Sequence, residues 1–242
     1  MIIVSVLRLS KDFTTQHAQW LHKQLVGYNS VCLTDAKYIK GVNTAPLLYN
    51  WPGWWSKIEL FNPEHPVLGK EDILYMDLDT VITGDISDFL KVEGLTMLSD
   101  FGDPSNVNSS LMKISCADKE KVWKAFINNP MEIMEKCQTP ELWGDQGFIG
   151  SITTPQRWQD ILPGKVVSYK ANIAKPGMIG FNKNLYDGIA NGELPSDARI
   201  VCFHGSPRPW NTVFSWVPRF NFETYLKATV KNLKKEIKNK LS

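Results

Sequence analysis

Short apolar runs alternate with amphipathic stretches along most of this chain, and that alternation sets the expected elements. IIVSVL at 2–7 predicts a buried first strand, and the helical spacing of Phe13, His17, Trp20, Leu21 and Leu25 predicts a helix over 13–28. SVCLTD at 30–35 predicts a second strand, completing a β-α-β start of nucleotide-binding type, though without a Gly-x-Gly-x-x-Gly. A helix packed by Trp55, Ile58 and Phe61 is expected over 54–61, followed by strands at 72–77, 95–100 and 109–115. Helices are expected at 118–129 and 154–162, then a strand at 198–205 and a long closing helix from 222 to 241. Strands and helices taking turns along one chain predict an α/β layered fold with a mostly parallel central sheet.

Composition changes little in this picture. The 242 residues are 43% hydrophobic and 21% charged, which suits one large domain, and no internal repeat or linker divides them. No run approaches the roughly 18 apolar residues of a membrane span, and MIIVSVLRLS is too short for a secretory signal. A soluble, unprocessed, cytoplasmic protein is therefore expected. Cys32, Cys116, Cys137 and Cys202 lie far apart with no C-x-x-C pair, so free thiols are expected. A net charge of +2 demands no nucleic-acid partner, but the basic excess collects at the C-terminus.

The chemistry gathers at ILYMDLDTVITGD, where Asp77 and Asp79 follow an apolar run. Aspartates at a strand end can simply shape a turn. At the carboxyl end of a parallel strand, however, they stand where open α/β sheets bind ligands, and hard oxygens suit Mg2+ or Mn2+. On an ideal strand, positions i and i+2 face the same side, so the two carboxylates could converge on one ion.

LYMDLDTVITGDI resembles the Asp-x-Asp segment of GT-A nucleotide-sugar glycosyltransferases, most closely family 8. Three further stretches follow in the family's order, over about residues 1–215: VNSSLMKIS, WGDQGFIG and FHGSPRPW. The resemblance implies a GT-A domain over 1–215, followed by a C-terminal basic amphipathic helix within 216–242. It implies a transferase that moves a hexose or pentose from a nucleoside diphosphate sugar, usually UDP-linked, to a hydroxyl acceptor with retention. Asp77, Asp79 and His204 would be metal ligands for Mn2+ or Mg2+, although Cys202 stands where the family usually has its metal-binding histidine. Asp145 and Gln146 would lie beside the reacting carbon; the alternative for GDQG is a helix N-terminus that Asp145 caps. Asp100, Asn108 and Ser109 would meet the donor sugar, and Arg8, Thr34 and Asp35 the nucleoside. Arg208, in place of the family's lysine, would bind phosphate through its planar fork beside Gly205 and Trp210. Lys57 is a phosphate or sugar contact, or a solvated lysine.

The closing segment carries Phe222, Leu226, Val230, Leu233, Ile237 and Leu241 on one stripe, and six lysines against Glu223 and Glu236. Such a helix can lie on an anionic membrane, follow a phosphate backbone or dock on its own domain. The acceptor is accordingly a glycan or glycolipid, or a hydroxylated base in DNA. Two readings of other classes are a metal-dependent nucleotidyltransferase and a non-catalytic carbohydrate-binding module.

Overall fold

The computed structural model describes residues 1–175 and 190–240. In chain order the elements are β1 (Ile2–Leu7), α1 (Thr15–Lys23), β2 (Ser30–Thr34), β3 (Thr44–Pro46), a 3-10 helix (Gly53–Phe61), β4 (Ile73–Met76), β5 (Thr80–Ile82) and α2 (Ser87–Leu90). There follow β6 (Thr96–Ser99), β7 (Val107–Ile114), α3 (Cys116–Ile127), α4 (Pro130–Lys136), α5 (Gly144–Ile152), β8 (Gln156–Arg157), α6 (Trp158–Ile161) and β9 (Val166–Ser168). A π-helical turn (Tyr169–Ile173), β10 (Ile200–Cys202), a 3-10 turn (Pro209–Asn211) and α7 (Phe222–Lys240) complete the described chain.

Seven strands form the main sheet in the order β3-β2-β1-β4-β7-β6-β8, and β5-β10-β9 form a smaller one. The β-α-β start is present: β1 pairs in parallel with β2 (Val4 with Val31) and with β4 (Val4 with Tyr75). Only the β4–β7 and β7–β6 pairings are antiparallel in the large sheet. Strand alternation feeds two cores, one per face. Ile3, Leu7, Leu74 and Met76 point into the core that holds Leu21 and Trp158, whereas Val4, Leu33, Ile73 and Tyr75 point into the core built on Ile58, Phe61 and Phe126. Each such fully buried apolar side chain contributes roughly 1.5–3 kcal/mol, so both faces hold their covering layers.

Local differences from the sequence expectation have physical causes. The segment 54–61 is a 3-10 helix, because Trp55, Ile58 and Phe61 recur every three residues and stack on one face only at three residues per turn. The same spacing sets Trp54 and Lys57 together on the opposite side. The first helix stops at Lys23, short of 28, ahead of Gly27 with φ +93°. The expected helix at 154–162 shrinks to the four residues of α6, because the backbone N–H of Gln156 donates to the Leu95 carbonyl (2.9 Å) and draws 156–157 into the sheet. All four cysteines are free thiols, and only Cys116 is exposed.

The closing helix is present as α7, and Leu241 lies outside the described residues. Ala228 is buried, yet Phe222, Leu226, Val230, Leu233 and Ile237 are all exposed. Among the described residues, no helix is long and apolar enough to cross a membrane.

Candidate active site

The Asp-x-Asp segment lies in a turn rather than on a strand. Asp77 follows β4 of the large sheet, Asp79 precedes β5 of the small one, and the Thr80 N–H donates to the Asp77 carbonyl (3.1 Å). Strand alternation therefore does not orient the two carboxylates. The chain has to pass from one sheet to the other here, and the turn points both acids toward one cavity of about 500 Å3. Arg8, Trp54, Lys57 and Arg208 share its lining.

Each aspartate has its own cation. Lys57 Nζ lies 3.0 Å from Asp77 Oδ1 and 3.8 Å from Asp145 Oδ2, and it donates to Ser109 Oγ at 3.2 Å. Lys57 is thus a buried ammonium joining the turn, β7 and α5, rather than a solvated lysine. Tyr75 donates its phenol proton to Asp77, and its ring lies 5.4 Å from the ammonium. Arg208 pairs with Asp79 and lies over the Phe13 ring at 4.9 Å.

Burial raises the pKa of each carboxylate, and the local charges decide the outcome. For Asp77, burial is outweighed by the Lys57 charge together with hydrogen bonds from Tyr75, Lys57 and Ser110, and its carboxyl sits below the ordinary value. For Asp79, burial and the negative charge of Asp77 outweigh Arg208 and raise the pKa to about 7. Burial also raises Asp145 against the pull of Lys57, and its Oδ2 is buried without a hydrogen-bond donor.

The folded chain holds a proton on Asp79 that the unfolded chain has released between the ordinary 3.8 and about 7. This group's contribution to stability therefore falls as pH rises through that window. Asp77, shifted downward, acts in the opposite sense and below its ordinary 3.8. His22 and His204, lowered by burial to about 4, add stability as pH rises from about 4 to 6.5, so the Asp79 effect needs a variant to isolate it. The melting temperature of Asp79→Asn relative to the parent is expected to improve between about pH 4.5 and about pH 8. A difference that stays constant across that range would contradict the raised pKa.

The residues fit a divalent cation in their chemistry. Two hard carboxylates share one cavity, and Asp79, whose pKa is raised first by burial and then by the Asp77 charge, is an acid whose ionised form a cation would stabilise. Among the described residues, no three His, Cys, Asp or Glu side chains are already gathered as a metal-holding group. His204 Nε2 and the Ser168 hydroxyl are 2.7 Å apart, and the imidazole stacks on Phe101 with ring centroids 5.5 Å apart. Cys202, at the family's histidine position, is buried on β10. Burial, then the charges of Asp77 and Asp79, raise its thiol well above the ordinary range.

The other expected residues sit around this centre. Asp35 holds Arg8 at 3.3 Å, and the Thr34 hydroxyl accepts from the Ala36 N–H (3.0 Å), so these two shape the β1 and β2 ends without lining the cavity. Asn108 donates to Asp100 Oδ2 at 3.2 Å, linking β7 to the loop after β6. Asp145 lies in the first turn of α5, whose N-cap position is Trp143; its carboxylate looks across to Lys57. Gln146 lines a separate cleft with Asp100. Gly205 has φ +76° and lies beside Lys170, and Trp210 packs among Phe13, His17, Trp20 and Phe220.

Sequence reasoning missed Tyr75, Ser110 and Lys170. Lys170 has its pKa lowered by burial and by nearby Arg208, with Asp79 opposing, which places a further cation near the Arg208–Asp79 pair. Tyr75 was available in LYMD as the aromatic two residues before the first aspartate. Nothing in the sequence around Lys170 signals its place.

No family model matches the chain, and no curated protein sequence matches it. Similarity appears among solved structures. The glycosyltransferase GlyE of Streptococcus pneumoniae TIGR4 superposes with a TM-score of 0.59 at 16% identity over 97% of this chain, which spans only 63% of GlyE. An active-site mutant of LgtC superposes with a TM-score of 0.51 at 11% identity, covering 96% of both chains. These likenesses establish the fold as a mixed α/β, GT-A-like one shared with glycosyltransferases.

Proposed function

We propose that this chain is a metal-dependent glycosyltransferase. It moves a hexose or pentose from a nucleoside diphosphate sugar, UDP-linked, to a hydroxyl of a glycan or glycolipid with retention. The observation that carries this reading is the cavity at the carboxyl ends of β1 and β4, where Asp77 and Asp79 meet Lys57, Arg8 and Arg208. A pair of carboxylates among guanidinium groups suits a diphosphate with its cation better than it suits a neutral ligand. The glycosyltransferase fold of GlyE and LgtC supports it independently.

The roles follow from placement. Asp77 and Asp79 would hold Mn2+ or Mg2+, with His204 as a third ligand only if it moves to join them, and the ion would supply Lewis-acid neutralisation of the leaving diphosphate. Arg208 leaves Asp79 for phosphate oxygens when the donor enters, and Arg8, fixed by Asp35, faces the nucleoside end. Asp100, Asn108 and Ser109 hold sugar hydroxyls. Lys57 holds Asp145 toward the reacting carbon, where its carboxylate stabilises developing positive charge with the Gln146 amide oxygen.

Incubation with a panel of nucleotide sugars tests this reading. Mn2+-dependent release of UDP or another nucleoside diphosphate supports it. Release of a sugar 1-phosphate, the group left when the nucleotidyl moiety is transferred, would indicate a nucleotidyltransferase, and sugar binding without turnover a carbohydrate-binding module.

The exposed stripe on α7 adds a membrane contact to the proposal. Lysines flank apolar side chains that no described part of the domain covers, a combination that fits an anionic lipid surface better than a phosphodiester backbone. Exchanging both Leu226 and Leu233 for glutamate is expected to weaken co-sedimentation with phosphatidylglycerol vesicles at least about tenfold. Unchanged binding would remove α7 from this role.

A further inference from the structure

A second cleft, of about 680 Å3, opens beside the first and is lined by Asp100, Asp103, Glu141, Trp143, Gln146 and Arg157. Its size is that of an ordinary small-molecule site. No described residue lines both cavities, but the first turn of α5 links them. Asp145 looks to Lys57 on the wall of the first, and the next residue, Gln146, lines the second. Trp54 lines the first and Trp143 the second, with ring centroids 6.0 Å apart. Trp143 is 51% exposed, so a broad aromatic surface stands at the mouth of a polar cleft.

The charge of this cleft is opposite to what phosphate needs. Asp100, Asp103 and Glu141 face one cation, Arg157, which donates to the Leu98 carbonyl at 3.5 Å. A phosphate or sulfate entering here meets a surplus of like charge, and a nucleic-acid backbone finds Arg157 alone where it normally meets several lysines and arginines. An uncharged polyol suits the same wall, because carboxylates, amides and Arg157 can bond hydroxyls while the indole covers an apolar ring face.

We propose that this cleft receives the acceptor, and that its acidic rim, with Glu141 at the edge, selects uncharged carbohydrates against phosphorylated ones and against DNA. The proposal rests on sugar transfer being the reaction. A two-substrate transferase needs a second site near the reacting groups, and here Gln146 lines this cleft while its neighbour Asp145 pairs with Lys57 on the wall of the first cavity. Trp143 and Glu141 then set acceptor specificity, while the donor's nucleoside diphosphate is left to the first cavity and only its sugar reaches Asp100 and Gln146 in this cleft.

The test uses the full chain with Mn2+ and whichever UDP-sugar releases UDP. Acceptor probes are neutral p-nitrophenyl glycosides, their 6-phosphates, and duplex DNA containing 5-hydroxymethyluracil. Transfer to neutral glycosides is expected, with little to the phosphates and none to DNA. Trp143→Ala is expected to raise the acceptor KM at least about tenfold, or about 1.4 kcal/mol, with no matching change in donor KM; Trp143→Phe should restore most of it. Glu141→Lys is expected to narrow the preference for neutral over phosphorylated probes by about tenfold. Ser151→Trp, which fills the cleft from an exposed position, should act as Trp143→Ala does. Equal use of phosphorylated probes, transfer to DNA, UDP release with no neutral acceptor used, or an acceptor KM indifferent to Trp143→Ala and Ser151→Trp would each overturn the proposal. Absence of nucleotide release from every donor would instead refute sugar transfer itself.

Discussion

Asp79→Ala is expected to lower metal-dependent nucleotide release by about 10^3-fold, corresponding to about 4 kcal/mol of transition-state stabilisation. Asp79 is 4% exposed, paired with Arg208 and close enough to Asp77 for the neighbouring charge to help raise its pKa to about 7. Removing it would take away one of the two proposed oxygen ligands and leave Arg208 without this partner. Calorimetric titration with Mn2+ reads the first consequence, and steady-state release of UDP reads the second. Asp79→Asn keeps the side-chain shape and separates chemistry from folding: it should unfold as cooperatively as the parent, with the pH-dependent difference in melting temperature described above, while binding Mn2+ more weakly. Full manganese affinity and turnover in both variants would refute the metal-centred mechanism.

Lys57→Met is expected to have the largest effect on stability. The ammonium serves Asp77 and Asp145 together, and the side chains are only 12%, 26% and 5% exposed respectively. Deleting one member of a buried ion cluster typically costs about 3–5 kcal/mol, because the remaining charges lose their compensation without regaining water. For a chain of this length the melting temperature should fall by roughly 10 °C. Adding Asp145→Asn should recover part of that loss, because one of the two stranded carboxylates is then neutral. If the double variant is as unstable as the two single losses added together, the three groups do not act as one cluster.

Much of the site was readable before the fold was known. The carboxyl end of β4 and the Asp-x-Asp pair are local features, and Lys57, Arg208 and Asp145 lie in recognisable stretches. The mutual arrangement was not readable. Asp79 and Arg208 are 129 positions apart, and Lys57 reaches residues on both the turn and α5. Tyr75 illustrates the limit: its place in the strand was predictable, but the Lys57 ammonium 5.4 Å from its ring arrives from the separate 3-10 helix.

The sequence by itself determined the layered α/β plan, the parallel β1-β2 start, the three-residue spacing of the 3-10 helix and the amphipathic character of α7, because each follows from side-chain periodicity along a short stretch. Only the tertiary structure decided that the Asp-x-Asp pair would turn between two sheets, that Lys57 would sit largely out of water among carboxylates, and that no other described residues would cover the stripe on α7. Periodicity tells a segment which face to bury. What that face meets, and which charges are forced together out of water, depends on long-range packing that no local window contains.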